Sequence, residues 1–381
     1  MLFHPIDTKE AFNPANKNEI AHLWYHVHYN QMTEHFNKRK NRVEYVAKKQ
    51  MGAIHIHREL KKVAENITMQ RKSSLADLAN HYHVRQLKAK PIARIIHGLG
   101  GSHVRETSLT LHPVYGVPYI PASSVKGVVR HWFIEAFCDG EEKKLAEHET
   151  GALVFGTQAQ RGIVQFHDIF LINQLVIEPD VLTVHFKDYY GSGKPATDDQ
   201  NPNPVTFLTV NVSDVDIYLT SCKYGGNIPS EELLKEAASW TAQALSEIGI
   251  GSKTSSGYGY FTNIEDVTET EFLPFVKMRQ QEKEKQKALE AQEKHRREEE
   301  ARLAEMSAEE RLVVQIEKLT NQPQDQEKSK TVLYNEVIAQ QNRPAAAALK
   351  AYWQRTGNWN VKKQKQKQYD KVQAIKHLLG E

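Results

Sequence analysis

The chain has 381 residues, more than one ordinary hydrophobic core serves, so a central domain with accessory pieces is expected. Its 50 Lys and Arg stand against 47 Asp and Glu, a formal net charge of +3, which excludes a protein that coats nucleic acid through bulk charge; any basic surface must be local. Two cysteines, Cys138 and Cys222, form no CxxC pair and exclude a zinc ribbon or a disulfide scaffold.

The opening MLFHPIDTKEAFNPANKNE lacks a basic region followed by an apolar run, so no signal peptide is expected. No segment is apolar enough to span a bilayer, and a cytoplasmic protein is the expectation. The Asn-x-Ser/Thr matches at Asn66 and Asn211 then carry no meaning. Residues 1–90 are rich in His, Lys, Asn and Gln and poor in Gly and Pro. Leu23 and Val27, then Leu60 and Val63, suggest amphipathic helices, and the stretch reads as a helical N-terminal arm.

The texture changes at Pro91. Ile92 to Ile96 predicts a buried strand entering the turn Gly98-Leu99-Gly100-Gly101. Two strand-like pieces then flank Tyr115-Gly116 and predict a hairpin, whose second arm Pro118 and Pro121 push towards an edge. Next, Val125, Val128, Val129, Trp132, Phe133, Ala136 and Phe137 recur at spacings of three and four and predict a helix, with Ser123 or Ser124 as its N-cap. Ile163 to Ile172, Val181 to Phe186, Val205 to Val210 and Val215 to Leu219 read as strands, with the aperiodic DYYGSGKPATDDQNPNP before the third. A second amphipathic helix over 230–248 carries Leu233, Leu234, Ala237, Trp240, Ala244, Leu245 and Ile248, stops at Gly249, and precedes a short strand at Tyr258 to Phe261.

The order strand, helix, strands, helix, strand predicts an α+β class: a ferredoxin-like sheet with insertions, the architecture of RNA-recognition domains. Residues 264–310 are charged on nearly all sides and predict a solvated helical linker held by opposite-charge pairs at i, i+4. Residues 311–381 read as a basic helical C-terminal extension. There Lys362, Lys363, Lys365 and Lys367 either touch RNA or an acidic neighbour, or simply face solvent.

Three motifs bear on chemistry. In GIGSKTSSGYGYF, Gly249, Gly251, Gly257 and Gly259 surround Ser252, Lys253, Thr254, Ser255 and Ser256. Glycines let backbone amides approach a phosphate, hydroxyls and Lys253 add donors, and Tyr258 and Tyr260 offer rings for stacking. A helix C-cap followed by a loop packed on its own sheet accounts for the same residues, and both readings stay open. In PASSVKGVVR, Ser123, Ser124, Lys126 and Arg130 lie at a helix start, which suits either a phosphate or an ordinary cap. In GLGGSHVRETS, Gly98, Gly100, Gly101, His103 and Arg105 are placed to lie over a backbone. A P-loop fails because Ser252 precedes Lys253, and a Rossmann turn fails because GLGG lacks the third, spaced glycine.

Histidine is abundant, at 18 residues, with His-x-His pairs at His26/His28, His55/His57 and His81/His83. None has fixed metal-ligand spacing, and no metal or other cofactor is expected. His97 and His103 are the candidates for a general base.

GLGGSHVRETSLTLHPVYGVPYIPASSVKGVVRHWF followed by GIGSKTSSGYGYF resembles the RAMP superfamily of CRISPR proteins, as found in type III-B (Cmr) effector complexes. The middle segment DYYGSGKPATDDQNPNPVTFLTV is similar too, and the resemblance covers residues 91–263. It implies a ferredoxin-like core and no catalysis. It also implies guide crRNA and target RNA as ligands, the guide held near its 3′ end, and other RAMP subunits as partners. The RNA-contacting residues would be Gly98, Gly100, His103, Arg105, Ser123, Ser124, Lys126, Arg130, Gly249, Gly251, Ser252, Lys253, Thr254, Gly257, Tyr258 and Gly259. RNA-cleaving relatives are expected to use an Asp after the first strand, and Gly98 to Ser108 contains Glu106 but no Asp. The alternative is a metal-independent endoribonuclease that processes guide precursors, with His97 or His103 as base and Lys253 stabilising the cleaved phosphate.

Overall fold

The computed structural model describes all residues except 1–20, 29–31, 48–51, 102–106, 185–190, 194, 196–202, 224–227 and 323–326. In chain order it begins with α1 (Leu23–His28), the antiparallel hairpin β1 (Met32–Asn37) and β2 (Arg42–Ala47), helix α2 (Arg58–Leu78) and strand β3 (Tyr82–Pro91). There follow β4 (Tyr119–Ile120), α3 (Ala122–Phe137), α4 (Glu149–Phe155), β5 (Val164–Phe166), β6 (Ile169–Phe170), β7 (Val176–Val184), β8 (Asn203–Asn211) and β9 (Val215–Cys222). Helix α5 (Ser230–Glu247), β10 (Phe261–Asp266) and the long α6 (Leu273–Glu305) come next. The chain divides into two compact units, 1–281 and 282–381.

Four strands make the sheet of the first unit, in the order β10-β3-β9-β5 with every neighbour antiparallel. Strand residues alternate between its faces. On one face Leu87 and Ala89 of β3 and Val215, Ile217 and Leu219 of β9 join the main core. Helices α3 and α5 cover that face through Val125, Val129, Phe133, Leu233, Ala237 and Leu245. Phe133 is fully buried, its ring centroid 4.6 Å from Trp240 and 5.5 Å from Phe155. The opposite face carries Val84 and Tyr218, which pack with Leu75 and Ala76 of α2 and with Phe272 and Val276 around the start of α6. A two-stranded ribbon, β7 paired with β8, stands apart from the sheet, and Ile95 bridges to it through Val210.

The helical reading of residues 1–90 holds for α1 and α2 and fails for β1, β2 and β3. β3 escapes the strand pattern because its covered second face is polar: Gln86 Nε2 donates to Asp216 Oδ1 at 2.8 Å, and Lys88 pairs with Glu271 at 2.9 Å. The strand predicted at Ile92 to Ile96 is displaced. Pairing ends at Pro91 and only the Ile95 bridge continues it. The last strand likewise starts at Phe261 rather than Tyr258, because Gly257 and Gly259 hold positive φ before it. The apolar face of α3 takes in Ile134 and leaves Phe137 exposed.

The second unit is helical. Ser307 and Glu310 form a capping box at α7 (Ala308–Glu317), and α8 (Glu327–Ala339), α9 (Arg343–Arg355) and α10 (Gln366–Leu379) follow. Leu312, Ile316, Val337, Leu349, Trp353 and Ile375 form its own core.

Replacing Phe133 by Ala should cost about 3–5 kcal/mol of stability, from lost burial and the cavity left among Trp240, Phe155 and His148. Denaturant unfolding of the two proteins measures it.

Candidate nucleic-acid interface

After α5 the chain turns through Gly249 and lays the segment 249–260 against residues 92–98. The Ser252 amide donates to Ile96 O at 2.7 Å, the Gly259 amide to Arg94 O at 3.2 Å, and Ile92 donates to Tyr260 O at 2.8 Å. Two glycines make this approach possible. A Cβ on Gly251, at φ +111°, would stand 2.2 Å from Ile96 O. On Gly259, at φ +73°, it would stand 2.1 Å from Ile250 O. Neither position tolerates a side chain.

Within the loop, the amides of Gly257, Tyr258 and Ser256 bond to the carbonyls of Thr254 and Lys253. Those amides, and that of Ser252, already have partners within the chain. The loop's side-chain donors are the hydroxyls of Ser252 and Thr254, both partly exposed, those of Ser255 and Ser256, both exposed, and Lys253. Lys253 is itself at φ +61°, and its ammonium lies 5.7 Å from the centroid of the Phe207 ring.

The glycine turn and the start of α3 meet through His97. Its Nδ1 pairs with Thr110 Oγ1 at 2.9 Å and its Nε2 with Ser124 Oγ at 3.1 Å. Burial lowers the pKa of the ring, so the imidazole stays neutral, one nitrogen donating and the other accepting. Neither Ser123 nor Ser124 is the N-cap of α3. The helix begins at Ala122 after Pro121, Asp168 Oδ1 accepts the Ala122 N–H at 2.7 Å, and the Ser124 hydroxyl faces His97 instead. Lys126 and Arg130 lie one turn apart on α3. Burial, then the neighbouring charges of Arg130 and Arg161, lower the pKa of Lys126. Arg130 bonds Glu142 at 2.6 Å.

Thus Gly98, Ser124, Gly251, Ser252 and Gly259 are joined by direct contacts or through His97. Gly100 and Gly257 have open space where a Cβ would be. His103 and Arg105 lie outside the described residues. Among the described residues, no three His, Cys, Asp or Glu gather as a metal site.

Three further residues carry the arrangement. Arg161 adds positive charge near Lys126. On the ribbon, Asp180 Oδ2 accepts from the Tyr258 hydroxyl at 2.7 Å and lies 3.4 Å from Arg94 Nη1. Arg94, Asp180 and Tyr258 are far apart in sequence, so no local pattern joins them. The hydrogen bond from Tyr258, followed by that from the Val181 amide and the charge of Arg94, holds the Asp180 carboxyl below its usual range.

Residues 52–262 match the model of the RAMP superfamily, and the chain belongs to that superfamily. Among its members it is similar to the CRISPR system Cmr subunit Cmr6 of Pyrococcus furiosus, 32% identical over 240 residues that span 48% of this chain and 69% of that one. It is also similar to the Cmr6 subunit of Saccharolobus solfataricus, 30% identical over 112 residues, 29% of this chain and 34% of that one. Solved structures with likeness include a chain of type III-B Cmr-beta bound to cognate target RNA, at 24% identity and TM-score 0.40, over 53% of this chain and 66% of that chain. Cmr6 from Pyrococcus furiosus is another, at 26% identity and TM-score 0.31, over 48% of this chain and 98% of that chain.

Two outcomes are expected from the loop. Gly251→Ala should displace the loop from Ile96 and lower the thermal midpoint, with a cost of at least about 1–3 kcal/mol. Tyr258→Phe should remove about 1 kcal/mol at neutral pH. Because the folded pKa of Asp180 is depressed, the stability it adds is present above the unfolded value of 3.8 and disappears as the pH falls through the lower folded value. The gap between wild type and Tyr258→Phe should therefore close on acidification below 3.8, as unfolding curves taken across that range would reveal.

Proposed function

We propose that this chain is a non-catalytic, RNA-binding subunit of a type III-B CRISPR (Cmr) effector complex, with guide crRNA and target RNA as its ligands and other Cmr subunits as its partners. In this reading the backbone of the guide, near its 3′ end, runs over the Gly98 turn, the start of α3 and the 249–260 loop. The carrying observation is the meeting of those separate motifs at one edge of the sheet through His97 and Ile96. Lys126, Arg161 and Lys253 supply positive charge there. Contacts to phosphate and sugar suit a guide, because each guide has a different sequence and base pairing does the reading.

The ferredoxin-like reading of the core belongs to this proposal. Its support is the strand order β10-β3-β9-β5, with α3 between β3 and β5 and α5 between β9 and β10. The endoribonuclease alternative is disfavoured at His97, whose ring nitrogens are both engaged by hydroxyls. The proposal sets the complex in the cytoplasm. Among the described residues, no helix is long and apolar enough to cross a membrane.

A doubly substituted chain, Lys126→Ala with Lys253→Ala, should still assemble but bind single-stranded guide RNA more weakly. The slope of log affinity against log salt should fall by about 0.7 for each phosphate left without its lysine. Filter binding at several salt concentrations measures both. An unchanged affinity and slope would remove these lysines from the interface, and cleavage of repeat RNA in EDTA would reverse the non-catalytic assignment.

A further inference from the structure

On the sheet face opposite α3 and α5, helix α2 carries an arginine into the protein. The guanidinium carbon of Arg71 lies 5.0 Å from the ring centroid of Tyr218 and 5.3 Å from that of Phe170. Its Nη2 is buried and has no hydrogen-bond partner among the described residues. A buried cationic donor without an acceptor is costly, so its persistence calls for an explanation.

Arg71 forms part of the wall of a cleft of about 380 Å3 that also includes Ser74, Tyr115, His167, Asp168 and Phe170. That volume is near the lower end of small-molecule sites, roughly 300–1,000 Å3. One side of the cleft is aromatic. Tyr115 is stacked on His112 at 4.5 Å, and its ring is 6.1 Å from Phe170. Burial, reinforced by the charge of Arg71, pushes the pKa of His167 down to about 4, so this histidine adds no charge at neutral pH.

The electrostatics select the ligand. Asp168 and Asp216 already lie in the field of Arg71. A phosphate or carboxylate entering the cleft would meet those like charges, whereas a neutral group with a carbonyl acceptor would not. Asp168 asks for the converse, a neutral donor. Among RNA bases, guanine presents carbonyl O6 and N7 as acceptors beside N1–H and N2–H as donors, and bases of this kind stack on aromatic rings.

The position also fits. Asp168 accepts the first amide of α3, at Ala122, beside Ser123 and Ser124, and contributes to the cleft at the same time. We propose that this cleft receives a single unpaired guanine base of the bound RNA, its O6 edge on Arg71, its N1 and N2 donors on Asp168 and its ring against Tyr115. The inference rests on the RNA-interface reading above, since the same RNA must pass the start of α3.

The test uses the full chain with GMP, AMP, CMP, UMP and a uridine 12-mer as probes, titrated by calorimetry and saturation-transfer NMR. GMP should bind at least tenfold more tightly than the other mononucleotides. Tyr115→Ala should weaken GMP at least tenfold while uridine 12-mer binding stays within twofold, and Asp168→Asn should weaken GMP at least tenfold. Tyr115 is partly exposed in a turn, so its substitution tests the cleft even if Asp168→Asn unsettles α3. Equal binding of all four nucleotides, or GMP binding untouched in Tyr115→Ala, overturns the proposal. A 12-mer that binds while GMP does not removes the guanine cleft and leaves the RNA interface standing. GMP binding without the 12-mer supports the cleft and removes the interface.

Discussion

The close backbone approach between residues 249–260 and residues 92–98 is the constraint on which the candidate site depends. It rests on Gly251 and Gly259, where an added Cβ would sit inside the contact distance of a carbonyl oxygen. Because Ser252 donates to Ile96 and Gly259 to Arg94, the loop is sewn to the segment leaving β3 rather than hanging from α5. His97 then carries the connection on to Ser124 and α3. A glycine-rich loop commonly suggests amides aimed at phosphate. Here several of those amides hold the loop together or join it to residues 92–98, and hydroxyls and the Lys253 side chain add further donors.

The ribbon is tied to the same place by a different kind of interaction. Tyr258 donates to Asp180, Arg94 faces the same carboxylate, and Ile95 bridges to Val210. The ion pair between Arg94 and Asp180 is partly solvated and contributes little by itself. Its value is geometric: it sets the ribbon, the segment after β3 and the 249–260 loop in one register. Segments from distant parts of the first unit are therefore held together in one place.

The sheet has two differently made faces. The face under α3 and α5 is aliphatic and aromatic, and its stability comes from ordinary burial. The face under α2 mixes Val84 and Tyr218 with Gln86, Lys88 and Asp216, and it closes through side-chain hydrogen bonds, an ion pair and a small apolar cluster. An RNA-recognition sheet that stacks bases does so on an open face. In this chain both faces are covered, by α3 and α5 on one side and by α2 and the residues around the start of α6 on the other. The second unit is separate in kind, a set of helices with its own core, in which Trp353 and Trp359 lie 6.4 Å apart.

The sequence alone determined what local rules control. Apolar spacing identified α3 and α5, turn residues and β-branched runs identified most of β5 to β9, and the charge pattern identified α6, whose Lys294–Glu298 and Arg296–Glu300 pairs are the predicted i, i+4 kind. The glycine and serine motifs were legible because glycine at positive φ leaves a compositional mark. Tertiary structure decided the rest. β3 reads as part of a helical arm because Arg85, Gln86 and Lys88 obscure its alternation, and only their partners on β9, β10 and the turn before α6 show why a strand holds them. The roles of His97, Asp168 and Asp180 were equally hidden, since each depends on residues brought together by folding. Arg71 looks like any solvated lysine or arginine on α2, and its burial over Phe170 and Tyr218 follows from the packing of that helix on the sheet. Periodicity reports which side of an element faces a core; it carries no information about which distant polar group will be waiting there.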